Sequence, residues 1–312
     1  MAHNCCLYYG ASLAAYGFPN HPFGVDRHDV FIRAMEQSGL MDEVDHGNPV
    51  SATQLQIEYF HNHDYVEKVK ALSLIGRGML DHGDTPAFKA VYEAASTVVG
   101  TGLRALDDLM AGRYKRAFIP IAGLHHARRD IASGFCVFND CGVLIESLRR
   151  DYGIKRVAYV DIDAHHADGV FYAFESDPDL IFADLHEDGR FLYPGTGFSE
   201  ETGKGPADGT KLNIPMRLSA NDEDFLEAWK QVEDYLQDTK PEFILFQCGA
   251  DSIKGDPITD MEYSEQSHAH AAGRLRIIAE QYAKGRLLVM GGGGYNRNNL
   301  ARAWCAVIKK LL

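Results

Sequence analysis

The stretch VAYVDIDAHHADGVF, from Val157 to Phe171, sets three aspartates and two adjacent histidines within eight residues, directly after an apolar run. If the chain stays extended past Val160, side chains alternate with period two, so Asp163 and His165 point the same way. A carboxylate and an imidazole on one side, joined by a carboxylate from elsewhere, make a three-ligand set for a catalytic zinc that keeps a position open for water. The segment CGAD, Cys248 to Asp251, supplies that acid as Asp251. Taken singly, each residue also reads as a helix cap or a hydrogen-bonded structural histidine, and it is their concurrence that favours a metal. His166 falls on the other side of the alternation, where a structural hydrogen bond suits it better than a metal.

A second histidine doublet, His125 and His126, follows the apolar run RAFIPI. Adjacent histidines rarely share an orientation, so the pair suits two roles better than one chelate. Each needs a carboxylate to fix its tautomer and raise its basicity, and Asp161 and Asp168 are free for this. A histidine backed by aspartate beside a metal-activated water is a general base. Amide hydrolysis also needs an electrophile facing the developing oxyanion, and GGGGYN offers Tyr295. That segment reads equally as a glycine turn after a core strand with an incidental tyrosine.

These clusters must be brought together by the elements before them. Short apolar runs recur at Cys5–Tyr9, Arg116–Ile121, Arg156–Val160, Leu180–Asp184, Phe243–Gln247 and Arg286–Met290, nearly all ending in polar or glycine-rich segments. Between them lie helical patterns at Ala87–Met110, Val143–Tyr152, Asp222–Leu236, Ser264–Lys284 and Asn298–Leu312. Strands alternating with helices predict an α/β fold: an open, mostly parallel sheet in three layers, with helices on both faces. In such folds the ligand site lies beyond the carboxyl ends of the strands. One domain over residues 1–312 is the simplest organisation, with the long loop from Gly195 to Thr210 expected at the rim of the site.

Composition narrows the function classes. Apolar content of 46% and charged content of 24% are those of a globular protein. A net charge of −13 argues against nucleic-acid binding and suits cationic substrates. No window approaches the ~18 apolar residues of a membrane span, and no leader pattern opens the chain. The six cysteines include no CxxC pair, so they read as reduced thiols in a soluble, cytoplasmic enzyme or binding protein. GGGG lacks the spacing of a dinucleotide fingerprint, because Asn296 stands where the last glycine would be.

The segments GLHHARRDIASGFCVFND, VDIDAHHADGV, LHEDGRFLYPGTG, QCGADSIKGDP and GGGGYN together resemble the zinc-dependent histone deacetylase family, including its bacterial deacetylase-like and acetylpolyamine amidohydrolase members. The resemblance runs from HPFGVDRH at His21 to NLARAW at Asn299, almost the whole chain. It implies an arginase/deacetylase-like fold with one zinc on Asp163, His165 and Asp251. His125 and His126 become the tandem catalytic pair, with His126 the base and Asp161 and Asp168 their partners, and Tyr295 polarises the acetyl carbonyl. It further implies that Gly134, Phe135 and Tyr193 wall the acyl tunnel, that Asp84 grips the substrate backbone, and that Arg27 lies near an internal acetate-release cavity. A structural monovalent cation, potassium in the family, would sit against Asp161, Asp163, His165, Asp184 and Leu185.

Two positions depart from the family pattern. Asp184 stands where many relatives have a serine on the monovalent cation, and Ile258 stands where polyamine-selective relatives carry a glutamate that reads a distal ammonium. The expected activity is removal of acetyl groups from acetyl-lysine in proteins or from small polyamines such as acetylputrescine and acetylcadaverine, with homo-oligomerisation left open. Two alternatives are a binuclear manganese ureohydrolase-like enzyme and a catalytically silent acyl-lysine binding module. Ala167 replaces the acid that a bridging manganese site needs, and no ligand, base or tyrosine is missing as it would be in a silent module.

Overall fold

The computed structural model describes residues 4–312; the first three residues of the expected 1–312 domain lie outside the described residues. Eight strands form one sheet: β1 (Cys5–Tyr8), β2 (Asp45–Gly47), β3 (Arg116–Ile119), β4 (Val157–Asp161), β5 (Leu180–Glu187), β6 (Lys211–Met216), β7 (Phe243–Gln247) and β8 (Leu287–Met290). Their order is β2-β1-β3-β8-β7-β4-β5-β6, and every pair is parallel.

Alternate residues of each strand enter opposite cores. Cys6, Ala117, Tyr159, Phe182, Leu245 and Leu288 join one face, packed by the helices Val91–Met110 and Asp140–Tyr152. Leu7, Phe118, Val160, Ala183, Phe246 and Val289 join the other, packed by Asp26–Gln37, Asp222–Thr239, Glu265–Tyr282 and Arg297–Leu311. Burial on both faces explains why the inner strands read as unbroken apolar runs rather than alternating ones.

Both strands absent from the sequence reading are edges. β2 has three residues and no buried one, and β6 carries Pro215 and is only half buried. Proline and partial exposure are tolerated at an edge, where one side of the strand needs no ladder bonds.

The order decides where the chemistry falls. β3, β8, β7 and β4 are neighbours, so the loops after them emerge side by side although they come from residues 120, 291, 248 and 162 of the chain. Asp161 of β4 stands in register between Gln247 of β7 and Asp184 of β5.

Candidate metal and catalytic site

β4 ends at Asp161, so the pleat does not carry on to His165. A run of side-chain-to-backbone bonds aims the residues instead. Asp161 accepts from the Asp163 amide at 2.9 Å, Asp163 from the His165 amide at 3.0 Å, and Asp251 from the Ala164 amide at 2.9 Å. The expected juxtaposition of Asp163 and His165 is therefore reached by a carboxylate-stitched turn. His165 Nδ1 faces Asp163 Oδ1 at 3.0 Å and Asp251 Oδ2 at 3.3 Å, and the three residues offer donor atoms within 4.8 Å of one another.

This set fits a metal ion. All three residues are buried, and Asp251 Oδ2 has no hydrogen-bond partner. Burial, and then the charge of Asp163, push the Asp251 carboxyl up to about 7. Burial opposes ionisation of Asp163 too, but His125 and the hydrogen bond from His165 outweigh it and hold Asp163 well below the carboxylate range. Without a metal the negative charge draws a proton to His165, which rises to about 10 against its own burial. A divalent cation answers the same charge and needs that nitrogen deprotonated. Gly293 leaves the room: a Cβ there would stand 2.1 Å from Asp251 Oδ2 and 2.8 Å from Asp163 Oδ2.

The histidine doublet lies beside this set. His125 Nδ1 meets Asp161 Oδ2 at 2.8 Å, His126 Nδ1 meets Asp168 Oδ1 at 2.7 Å, and the two Nε2 atoms are 3.1 Å apart. The partners divide the pair electrostatically. Burial lowers both rings, but Asp161 and Asp163 lift His125 to about 9, whereas burial and the charge of His125 bring His126 down to about 4 despite Asp168. These surroundings favour the charged form of His125 and the neutral form of His126.

Two residues that the sequence reading passed over hold the doublet. Asn139 caps the helix Asp140–Tyr152 by accepting from Gly142 N, and its Nδ2 donates to the carbonyls of His125 (3.2 Å) and Ala127 (2.8 Å). Asp140 accepts from the amides of Gly123 (2.8 Å) and Leu124 (2.7 Å). An Asn-Asp pair before an apolar helix is a legible capping signature, but the segment it grips is not. Gln247 was also missed: its Nε2 donates to Asp163 Oδ2 at 2.8 Å.

A small cavity of about 20 Å³ opens onto these groups, lined also by Phe23, Gly134, Cys136 and Tyr295. Gly134 has φ +52°, and a Cβ there would meet His126 Cδ2 at 2.4 Å. The Phe135 ring stands edge-on to Tyr295 at 5.9 Å, and the Tyr193 ring edge-on to His126 at 5.1 Å. Tyr193 reaches Ser133 by a hydroxyl hydrogen bond and joins Asp84 and Asp81 in an outer pocket of about 380 Å³. Ile258 lines neither space; its amide turns to Asp256 at 3.1 Å.

Tyr295 is half buried, and burial followed by the charges of Asp251 and Asp163 raises its hydroxyl well above the usual range, so it stays a donor. Arg27 is fully buried, with Nε on the Gly294 carbonyl (2.9 Å), Nη2 on the Gly292 carbonyl (2.6 Å) and Nη1 unpartnered.

Asp184, which the resemblance sets at the monovalent-cation site, is engaged with protein groups. Its Oδ1 meets His186 Nδ1 at 2.9 Å and its Oδ2 accepts from the Ala167 amide at 2.8 Å, so both oxygens are engaged and its charge is met by histidine. Leu185 is buried in the core. His166 turns to Thr196 Oγ1 at 2.9 Å. The Gly195–Thr210 loop packs behind it, with the Gly197 carbonyl 2.8 Å from His186 Nε2.

Comparison with known proteins agrees with this geometry. A family model described as "Histone deacetylase domain" matches residues 21–311. The acetoin utilization protein AcuC of Bacillus subtilis (strain 168) is 35% identical over 315 residues, covering 96% of this chain and 80% of that protein. The protein of the same name from Staphylococcus aureus (strain MSSA476) is 32% identical over 314 residues, covering 97% and 80%. The solved HDA15 HD domain shares the fold, with a TM-score of 0.93 at 24% identity over 99% of this chain and 88% of that one. The chain belongs to the histone deacetylase family and is a deacetylase of that family.

Proposed function

We propose that this deacetylase is a zinc-dependent amidohydrolase that takes acetyl groups from N-acetylated amines, either acetyl-lysine in a protein or a small polyamine such as acetylputrescine or acetylcadaverine. The observation that carries this reading is a buried three-donor set, of which Asp163 and His165 line one small cavity together with His126 and Tyr295, while Asp251 completes the set with an oxygen that accepts no hydrogen bond. Asp163, His165 and Asp251 would hold the zinc. When bound, zinc supplies Lewis acidity that polarises the amide carbonyl and makes water a competent nucleophile near neutral pH.

The remaining work falls to the side chains. His126 Nε2 takes a proton from the attacking water, while Asp168 at Nδ1 fixes the tautomer and steadies the imidazolium that forms. Tyr295 donates its hydroxyl proton in a hydrogen bond to the developing oxyanion. His125, held charged by Asp161, keeps the neighbouring His126 neutral until that step. The amine then leaves after receiving a proton from a histidine of the pair. Phe135 and Tyr193 flank the acyl chain, Gly134 leaves space beside His126, and Asp84 stands at the mouth. The three zinc-type donors form a single cluster, which favours a mononuclear site over the manganese pair.

Replacing Tyr295 by Phe is expected to leave zinc content at about one per chain while lowering kcat by ~10²-fold or more, the scale of one lost oxyanion donor. Turnover near the parent rate would remove the tyrosine from the mechanism, and two manganese ions per chain would favour the ureohydrolase reading. Assaying acetyl-lysine peptides beside acetylputrescine and acetylcadaverine separates the two substrate classes. Ile258, apolar and outside both spaces, gives no anionic reader for a distal ammonium.

Potassium is proposed only on the resemblance, against Asp161, Asp163, His165 and Leu185. Asp184 belongs to the same proposed site, with one oxygen on His186 and the other on the Ala167 amide. Among the described residues no helix is long and apolar enough to cross a membrane, and all six cysteines are free and buried. A cytoplasmic location is proposed on the free, buried cysteines.

A further inference from the structure

The loop carrying Tyr295 has no side chains of its own to hold it before the tyrosine and is held through its backbone, by the amides of Gly291, Gly292 and Gly293 on Ile119, Ala122 and Asp163. Gly291 to Gly294 carry no side chains, Gly292 and Gly294 sit at φ +67° and +119°, and glycine loses more backbone freedom on ordering than any other residue. A phenol at the end of such a segment is placed only as well as the bonds flanking it. Arg27 fixes two carbonyls on the glycine side.

On the other side stands Asp256, only 7% exposed. Its Oδ2 accepts from the Tyr295 amide at 2.7 Å and the Asn296 amide at 3.2 Å, and its Oδ1 accepts from Ile258 N at 3.1 Å. Asp256 lies on the same loop as Asp251, after β7. One carboxylate therefore ties the loop of a metal-type donor to the loop of the tyrosine, at the point where the glycine segment passes into the helix Arg297–Leu311. Asn296 caps that helix with its own side chain, at 3.1 Å from Asn298 N and 3.3 Å from Asn299 N, so the helix end does not depend on Asp256 for its cap.

We propose that Asp256 is a positioning residue for Tyr295, fixing the backbone from which the phenol reaches the substrate carbonyl; this rests on the reading of Tyr295 as the oxyanion donor. The isosteric variant Asp256→Asn keeps the volume but removes the charge that strengthens all three bonds, and its NH₂ displaces the acceptor of either the Ile258 amide or the Tyr295 and Asn296 amides.

The test is a double-mutant cycle on the full zinc-loaded chain with an acetylated lysine peptide: parent, Asp256→Asn, Tyr295→Phe and the double variant. Asp256→Asn is expected to lower kcat about 10-fold or more, with KM within about threefold and zinc content unchanged, the scale of a reacting group displaced by a fraction of an ångström. In the Tyr295→Phe background the same change should alter kcat less than about twofold, because the group it places is gone. A parent-like kcat for Asp256→Asn beside an impaired Tyr295→Phe overturns the inference alone, as does an equal loss in both backgrounds. A parent-like kcat for Tyr295→Phe overturns the reading of the tyrosine, and the inference falls with it. Hydrogen exchange gives a readout without turnover: amides 291–296 should exchange faster in the variant while the strands do not, and unchanged exchange there counts against the role. Should Asp256→Asn not fold, Asp256→Ser removes both carboxylate oxygens with less bulk.

Discussion

At the scale of single residues, the site works by giving like groups unlike surroundings. His125 and His126 are chemically identical neighbours, yet one faces two carboxylates and the other faces the resulting cation, so their basicities part in opposite directions. Replacing His126 by Ala should lower kcat by ~10²–10⁴-fold without loss of zinc, read by steady-state turnover and metal analysis together. Asp84 offers a pH test outside the metal cluster. It stands at the exposed rim, where partial desolvation and then Asp81 raise its carboxyl to about 6. A raised carboxyl is ionised above that pH and neutral below it. If Asp84 grips substrate as an anion, KM should climb as pH falls through about 6 and kcat should not follow. Asp84→Asn should flatten that profile, and an unchanged profile would remove Asp84 from substrate binding.

At the scale of elements, helix ends hold the reactive loops. The N-terminus of Asp140–Tyr152 grips the doublet from both sides, Asn139 on its carbonyls and Asp140 on the amides before it. Asn139→Ala removes a helix cap, typically ~1 kcal/mol, and leaves two buried carbonyls without this donor at ~1–3 kcal/mol each. A denaturant midpoint should therefore report a loss of several kcal/mol, with kcat falling as the doublet loosens. Gly293→Ala tests the other loop. Its new methyl group meets both acidic donors, so chelator competition should show zinc affinity reduced by ~10–100-fold or more, the range for disturbed support of metal ligands. Unchanged affinity would mean that the loop yields easily.

At the scale of the whole molecule, the sheet gathers buried negative charge that a cation must answer. Asp161, Asp163, Asp184 and Asp251 are all buried at the carboxyl ends of three adjacent strands, β7, β4 and β5. Zinc binding should thus stabilise the folded chain by mass action, about 2.7 kcal/mol at a hundredfold excess over Kd. For a chain of 312 residues that is a rise in Tm of roughly 4 °C on adding zinc to chelator-treated protein. A Tm indifferent to zinc would argue that the set holds no metal.

The sequence alone determined the class of fold and singled out the residues of the candidate site. Strands buried on both faces must be continuously apolar, and catalytic side chains must follow them as polar clusters, so Asp163, His165, Asp251, His125, His126 and Tyr295 could be singled out from residue type and spacing. Edge strands β2 and β6 were not legible, because an edge needs neither full burial nor an unbroken ladder. The orientation of His165 was anticipated from strand alternation but is produced by carboxylates bonding to a turn. Only the tertiary structure decided the strand order that makes β3, β8, β7 and β4 neighbours, and hence that Asn139, Asp140, Gln247 and Asp256 support the site. Their role lies in bonds to backbone far away in sequence, and hydrogen bonds between distant segments leave no periodicity in the chain. The same holds for Asp184, whose charge is settled by His186 across a fold that the chain's own order does not display.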